Sequence, residues 1–201
     1  TSHDNTALGS RTLYTNTTGA NNVGVGVSAL HSNTTASGNT AVGAESMEAN
    51  TTGGRNVAVG QYSLYGNTTA FDNTAIGYNG LASNTTGAAN VAVGSYALDA
   101  NTTASYNNAL GYLSLSTNTT GERNNAFGHS SLALNTTGSY NTALGHSALY
   151  KNTTAARNTA IGNDALTENT VGAGNVAVGD RSLYANTTGN QNTAVGQSAL
   201  G

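Results

Sequence analysis

An Asn-Thr-Thr triplet stands at Asn16, Asn33, Asn50, Asn67, Asn84, Asn101, Asn118, Asn135 and Asn152, always seventeen residues after the last. A fixed period of this length is the signature of a repeat architecture and constrains the fold more than any other feature. With Asn50 as position 1 and Gly66 as position 17, several positions barely vary. Position 1 is Asn from Asn16 to Asn186, and position 7 is Asn from Asn5 to Asn192. Position 11 is Gly from Gly9 to Gly196, and position 15 is Leu except for Met47. Position 9 is Ala except for Gly24, and position 10 is always a large apolar residue. A weaker period of 34 appears as alternating Val and Thr at position 8 in the first half, and we read it as a trace of duplication.

Each unit is rich in Asn, Thr and Gly, all poor helix formers. The run Asn56-Val57-Ala58-Val59-Gly60 reads as a short strand closed by a turn residue, and Ser63-Leu64 as a second extended piece. Asn50-Thr51 and Gly60-Gln61 are turn chemistry. Two strands and two corners per unit describe one rung of a parallel β-solenoid (a β-roll or β-helix), about twelve rungs long, which buries its apolar side only by stacking. At roughly 4.8 Å per rung the rod is about 55–60 Å long. Stacking predicts Asn ladders through Asn50 and Asn67 and through Asn56 and Asn73. It places Leu64 on Leu81, Val59 on Ile76, and Gly60 above Gly77. Position 11 holds only Gly, so a positive φ or a close approach is expected there.

Large aliphatic residues and Phe number only 32 of 201, a proportion that alone leans toward disorder. Disorder is usually driven by high net charge as well, and here the net charge is -3 with 7% charged residues. With the strict period, that decides for an ordered all-β domain. We take residues 1–201 as one repeat domain. Thr1 falls at position 3 of a unit and Gly201 at position 16. An excerpt of a longer fibre, or a subunit that stacks end to end into a filament, is therefore expected. There is no Cys, and no apolar run approaches the ~18–20 residues of a spanning helix. No membrane insertion by this segment is expected.

Asn56-Val57-Ala58-Val59-Gly60 followed by Ser63-Leu64 resembles the Asn-Ser-Val-Ala-Ile-Gly-x-x-Ser repeat of trimeric autotransporter adhesin heads. The whole unit, with Asn50-Thr51-Thr52-Gly53, looks like repeats in bacterial and phage tail-fibre-domain proteins. The resemblance covers the entire chain. It implies a left-handed β-roll, three chains side by side, and an extracellular, cell-surface or virion location.

Candidate chemistry is sparse. The Asn-Thr-Thr triplets, at Asn16, Asn33, Asn50, Asn67 and Asn84 among others, match the N-glycosylation pattern. The position-7 Asn recurs just as strictly without an acceptor pattern, so a turn ladder explains the recurrence better. His129 and His146 share position 12 on adjacent rungs and are weak candidates for a metal pair, which would need further ligands. No catalytic triad is legible, and we expect no enzyme and no cofactor. Six basic residues against nine acidic ones make no phosphate-tracking stripe, so no nucleic acid is expected. Tyr14, Tyr65, Tyr150 and Tyr184 share position 16 and could form an adhesive surface, for example toward glycans.

Three functions compete. The first is a non-catalytic fibre segment of an appendage, surface adhesin or tail fibre. The second is an adhesive glycan- or surface-binding module using Tyr-bearing corners. The third, less favoured, is an ice-binding protein, which would want two parallel Thr ranks on one face. Thr51 and Thr52 should point to opposite sides, and position 8 is Thr in only half the copies. Assembly turns on position 10. If its side chain faces inward, the exterior is polar. If it faces outward, an apolar stripe runs from Leu8 to Val195, too large for a monomer to expose. The resemblance favours the outward case and a homo-oligomer, with a trimer expected.

Overall fold

The computed structural model describes residues 2–201. Twelve three-residue strands, β1 (Thr6–Leu8) to β12 (Thr193–Val195), form one sheet in chain order, all pairs parallel. The register advances by seventeen residues per strand: Val57, Ala58 and Val59 of β4 (Val57–Val59) face Thr74, Ala75 and Ile76 of β5 (Thr74–Ile76). The chain is therefore a parallel β-solenoid with one turn per repeat, and no helix occurs among the described residues.

The second extended piece expected at Ser63-Leu64 is not a strand. The stretch after Gly60 is a run of overlapping turns, in which the Ser63, Tyr65 and Asn67 amides donate to Gly60, Tyr62 and Leu64 carbonyls at 3.3, 3.3 and 3.1 Å. The intervening amides reach other rungs: Tyr62 donates to Ala44, Leu64 to Gly80 and Gly66 to Ala82, at 3.2, 2.9 and 2.8 Å. Alternate amides thus serve the rung and the stack, and the backbone donors are satisfied without a ladder. The geometry requires positive φ at Tyr62 and Leu64, 60° and 50°. For a non-glycine residue that costs roughly 1–2 kcal/mol. At position 15 the cost is offset by complete burial of a Leu, which contributes about 1.5–3 kcal/mol.

The core is thin and has two unequal sides. From the turn wall come Leu30, Met47, Leu64, Leu81 and their equivalents up to Leu166, fully buried. From the strand wall come Ala41, Ala58, Ala75, Ala92 and their equivalents up to Ala194, also buried. A small residue faces a large one across a space too narrow for two large ones, as close packing demands. The phase of the strand follows: position 9 points in, and positions 8 and 10 point out.

Gly60 has φ 130°, and a Cβ there would lie 2.5 Å from the Gly77 carbonyl oxygen. The other position-11 glycines repeat this up to Gly179, so both reasons anticipated for Gly apply.

Both Asn ladders form, in different ways. At position 1, the Asn50 Nδ2 donates to Asn33 Oδ1 at 2.9 Å and to Gly53 O at 2.9 Å, and Asn67 Nδ2 donates to Asn50 Oδ1. At position 7, the backbone amide of Asn56 donates to Asn39 Oδ1 at 2.9 Å, while its own Nδ2 donates to Ala70 O at 2.9 Å. The two ladders meet at the position-4 carbonyl: Gly53 O accepts from both Asn39 and Asn50. Both columns are fully buried through the middle of the rod. A buried amide is tolerable only when its donors and acceptors are matched, and here each rung supplies the match for the next.

Candidate functional site

The strand wall presents an outward face built of positions 8 and 10. Position 10 carries Leu8, Val25, Val42, Val59, Ile76, Val93, Leu110, Phe127, Leu144, Ile161, Val178 and Val195. These side chains are half-buried or exposed, Ile76 at 41% and Leu110 at 47%. Beside them position 8 carries Thr, Val or Asn, so the face holds no charged residue along its twelve strands. The choice that the sequence left open is settled for the outward case.

The Tyr column expected at position 16 is not continuous. Tyr14 stacks on His31 at 5.4 Å between centroids. Tyr65 sits edge-on to Tyr62 at 5.7 Å, and the neighbouring Glu48 carboxylate pushes its phenol above the ordinary range. Arg181 lies over the Tyr184 ring at 4.6 Å, and Tyr150 is half-buried two rungs away from it. The continuous aromatic feature is a different one. Tyr62, Tyr78, Tyr96, Tyr112, His129 and His146 form an unbroken file, with successive centroids 5.1–6.2 Å apart. It zigzags between positions 13 and 12, which is why no single column of the repeat revealed it. The offset itself was the available signal, since positions 12 and 13 of neighbouring rungs lie within reach of a Tyr ring.

His129 and His146 are adjacent as expected, with rings parallel within 4° at 5.1 Å. Stacked face to face, their lone pairs do not converge. His146 Nδ1 lies 3.8 Å from Asp164 Oδ1, but no group of three candidate ligands is assembled among the described residues.

A second decorated edge lies at position 6. Arg55 donates to Asp72 through Nε and Nη2 at 2.7 and 3.0 Å and lies 5.6 Å from the Phe71 centroid. Those hydrogen bonds hold the Asp72 carboxyl below its ordinary value against the opposing effect of desolvation, with a lesser contribution from Coulomb attraction to Arg55. Arg123 is held between Tyr106 and Tyr140, 5.4 Å from each ring, and donates to the Tyr140 hydroxyl at 2.6 Å.

The glycosylation candidates have clear places. Asn33, Asn50, Asn67 and Asn84 are fully buried, and their Nδ2 groups are the donors of the position-1 ladder. A glycan on that nitrogen is incompatible with this packing. Asn16 is half-buried and donates to Ser2 Oγ and Gly19 O. The Thr at position 2, unassigned by the sequence, ties each rung to the next. Thr51 Oγ1 donates to the Thr68 carbonyl at 3.0 Å, and most of its equivalents repeat this. Thr52 is exposed while the Thr51 hydroxyl is spent within the stack, so the two Thr do not present matching hydroxyl ranks.

The fold and face together define a repeat β-solenoid with an uncharged outer wall. Comparison with protein-family models, with curated proteins and with solved structures finds no match.

Proposed function

We propose that this chain is a non-catalytic structural segment of an extracellular fibre, such as an appendage, surface adhesin or tail fibre. In this reading three copies associate side by side through their strand walls. The observation that supports it is the uncharged apolar face, continuous over twelve strands. Scattered exposed apolar residues are ordinary, but a contiguous patch marks an association surface. A face roughly 55 Å long and about 15 Å wide across its two columns and their flanks covers about 800 Å² per chain, so three copies together would bury about 2,400 Å², above the total of a standard two-partner interface. A second copy fits because it carries the same features at the same one-rung spacing, and a closed ring of identical copies lets each face find its equal.

Sedimentation equilibrium at micromolar concentration tests this. The expected mass is three times that of the chain. Val59→Asp with Val93→Asp should give a folded monomer, while Thr52→Ser at the exposed corner should leave the trimer intact. A folded monomer of the unaltered chain overturns the reading.

The aromatic file favours a second reading, an adhesive module that engages sugar rings with Tyr faces. A glycan-array signal lost on Tyr78→Ala with Tyr96→Ala, in a chain of unchanged mass, would support it. Ice binding draws least support, because position 10 holds a large apolar residue in every strand and half of position 8 lacks Thr.

A further inference from the structure

The outer wall is periodic, and periodicity creates a difficulty for lateral association. Two identical stripes that repeat every rung can slide by a rung and still bury apolar surface, so the repeat alone does not fix the register. In the first half of the rod the alternation at position 8, Thr40, Val57, Thr74 and Val91, leaves a two-rung slide almost without cost. The alternation ends after Val91, and the sharpest departure from Thr and Val comes directly there. The strands Asn108–Leu110 and Asn125–Phe127 carry Asn at position 8, and position 10 there holds Phe, the largest side chain of that column. Asn108 Nδ2 donates to Asn125 Oδ1 at 2.8 Å on the outer face, where both residues are half-buried. Leu110 and Phe127 beside them are 47% and 37% exposed.

We infer that Asn108 and Asn125, with Phe127, are the register-determining residues of the interface between copies of this chain. The inference rests on the lateral association proposed above. In a cyclic assembly of parallel chains, equivalent residues lie level with one another. Asn108 then meets Asn108 of its neighbours, and Asn125 meets Asn125. Each amide uses one donor or one acceptor within its own chain, which leaves groups that an equivalent amide at the same level can match and a Val cannot. A two-rung slide sets Asn125 of one copy against Val91 of the next, leaving an amide unmatched in a newly buried surface. It also packs Phe127 against Val93 or Ile161, a mismatch of volume in both directions. A single polar pair in an otherwise apolar seam fixes register in coiled coils by the same physics. Asn is not required at these places by the fold, since Thr or Val fills position 8 in the other rungs.

The chain has no Cys, so single introduced thiols report contacts cleanly. Chains carrying Thr40→Cys and isotopically labelled chains carrying Thr74→Cys are mixed, unfolded, refolded together and oxidised. In register, thiols two rungs apart are separated along the axis by about 9.6 Å, beyond the ~7 Å Cα limit for a disulfide. Only 40–40 and 74–74 products are then expected. In the background Asn108→Thr, Asn125→Val, Phe127→Leu, which carries the Thr/Val alternation on to Thr142 with residues used elsewhere in the wall, the mixed 40–74 product should rise at least about tenfold. The trimer mass should be unchanged. Equal yields of the mixed product in both backgrounds, with trimers intact, overturn the register inference alone. A monomer with no interchain disulfide in either background overturns the association itself, and the inference with it.

Discussion

Along Val57–Val59 the backbone pairs with the strands before and after it, whereas from Gln61 to Gly66 every second amide turns back into its own rung. The strand wall therefore has alternating sides, and each residue is committed to the core or to the outer face. The turn wall has no such alternation. It delivers one large side chain inward, at Leu64, and leaves positions 12, 13 and 16 free to vary, as Gln61, Tyr62 and Tyr65 do here. The difference separates two duties within one short repeat. The strand wall carries constancy and the apolar face, while the turn wall and its corners carry nearly all the charge and aromatic decoration.

The largest effect is expected where the walls join. Gly94→Val places a side chain against the Gly111 carbonyl at a φ of 134°, and should cost more than about 4 kcal/mol. Ser95→Val, one residue on and partly exposed, should change stability by less than about 0.5 kcal/mol. Chemical denaturation compares them, and equal midpoints would break the distinction between seam and wall.

The next test weighs the walls directly. Leu98→Ala empties the turn wall's only large inward residue in that rung and should cost about 2–5 kcal/mol. Ala92→Leu overfills the strand wall opposite and should cost about 1–3 kcal/mol. If the two walls share one space, the double variant should be more stable than the sum of the losses predicts. Strict additivity in thermal or denaturant unfolding would show that they do not.

The Asn columns sharpen the contrast at a smaller scale. Asn107→Ala leaves the backbone amide of Asn124 without its side-chain acceptor, and should cost about 3 kcal/mol. Asn101→Ala removes an acceptor from Asn118 Nδ2, which still donates to Gly121 O, and should cost about 1–2 kcal/mol. Amide hydrogen exchange at Asn124 should accelerate only in the first variant.

The smallest effect lies on the corner. Asp72 has its pKa lowered chiefly by the Arg55 hydrogen bonds. A carboxyl depressed on folding stabilises the fold above its unfolded value near 3.9, and that contribution is lost as pH falls through the folded value. In Arg55→Gln the Asp72 midpoint, followed by NMR, should rise toward the ordinary value, with stability at neutral pH little changed because the pair is exposed. An unmoved midpoint would contradict the assignment.

The period, the stacking of Leu64 on Leu81, the Asn ladders and the closeness of Gly60 to Gly77 were legible because each is a column, and a column shows in the sequence as recurrence. Three things were not. Positive φ at positions 13 and 15 left no mark, since Tyr62 and Leu64 are not the Gly or Asn that usually announce it. The direction of Val59 could not be read either, because alternation fixes a strand's faces only relative to each other. The facing Leu column decides it, and that is a fact of the opposite wall. The aromatic file escaped for a third reason: it steps between two positions of the repeat.

The upper surface of each rung matches the lower surface of the next, down to the Asn Oδ1 that receives the following Asn. Length is therefore a free variable of this chain, but only in whole units. Cutting one repeat, from Asn67 to Ser83, would let Asn84 take the place of Asn67 on Asn50, with every ladder joined again and the rod shorter by about 4.8 Å. Cutting a single residue would misalign the rung it falls in against both neighbours. A gene encoding such a chain can lengthen or shorten its product by recombination between repeats without passing through an unfolded form.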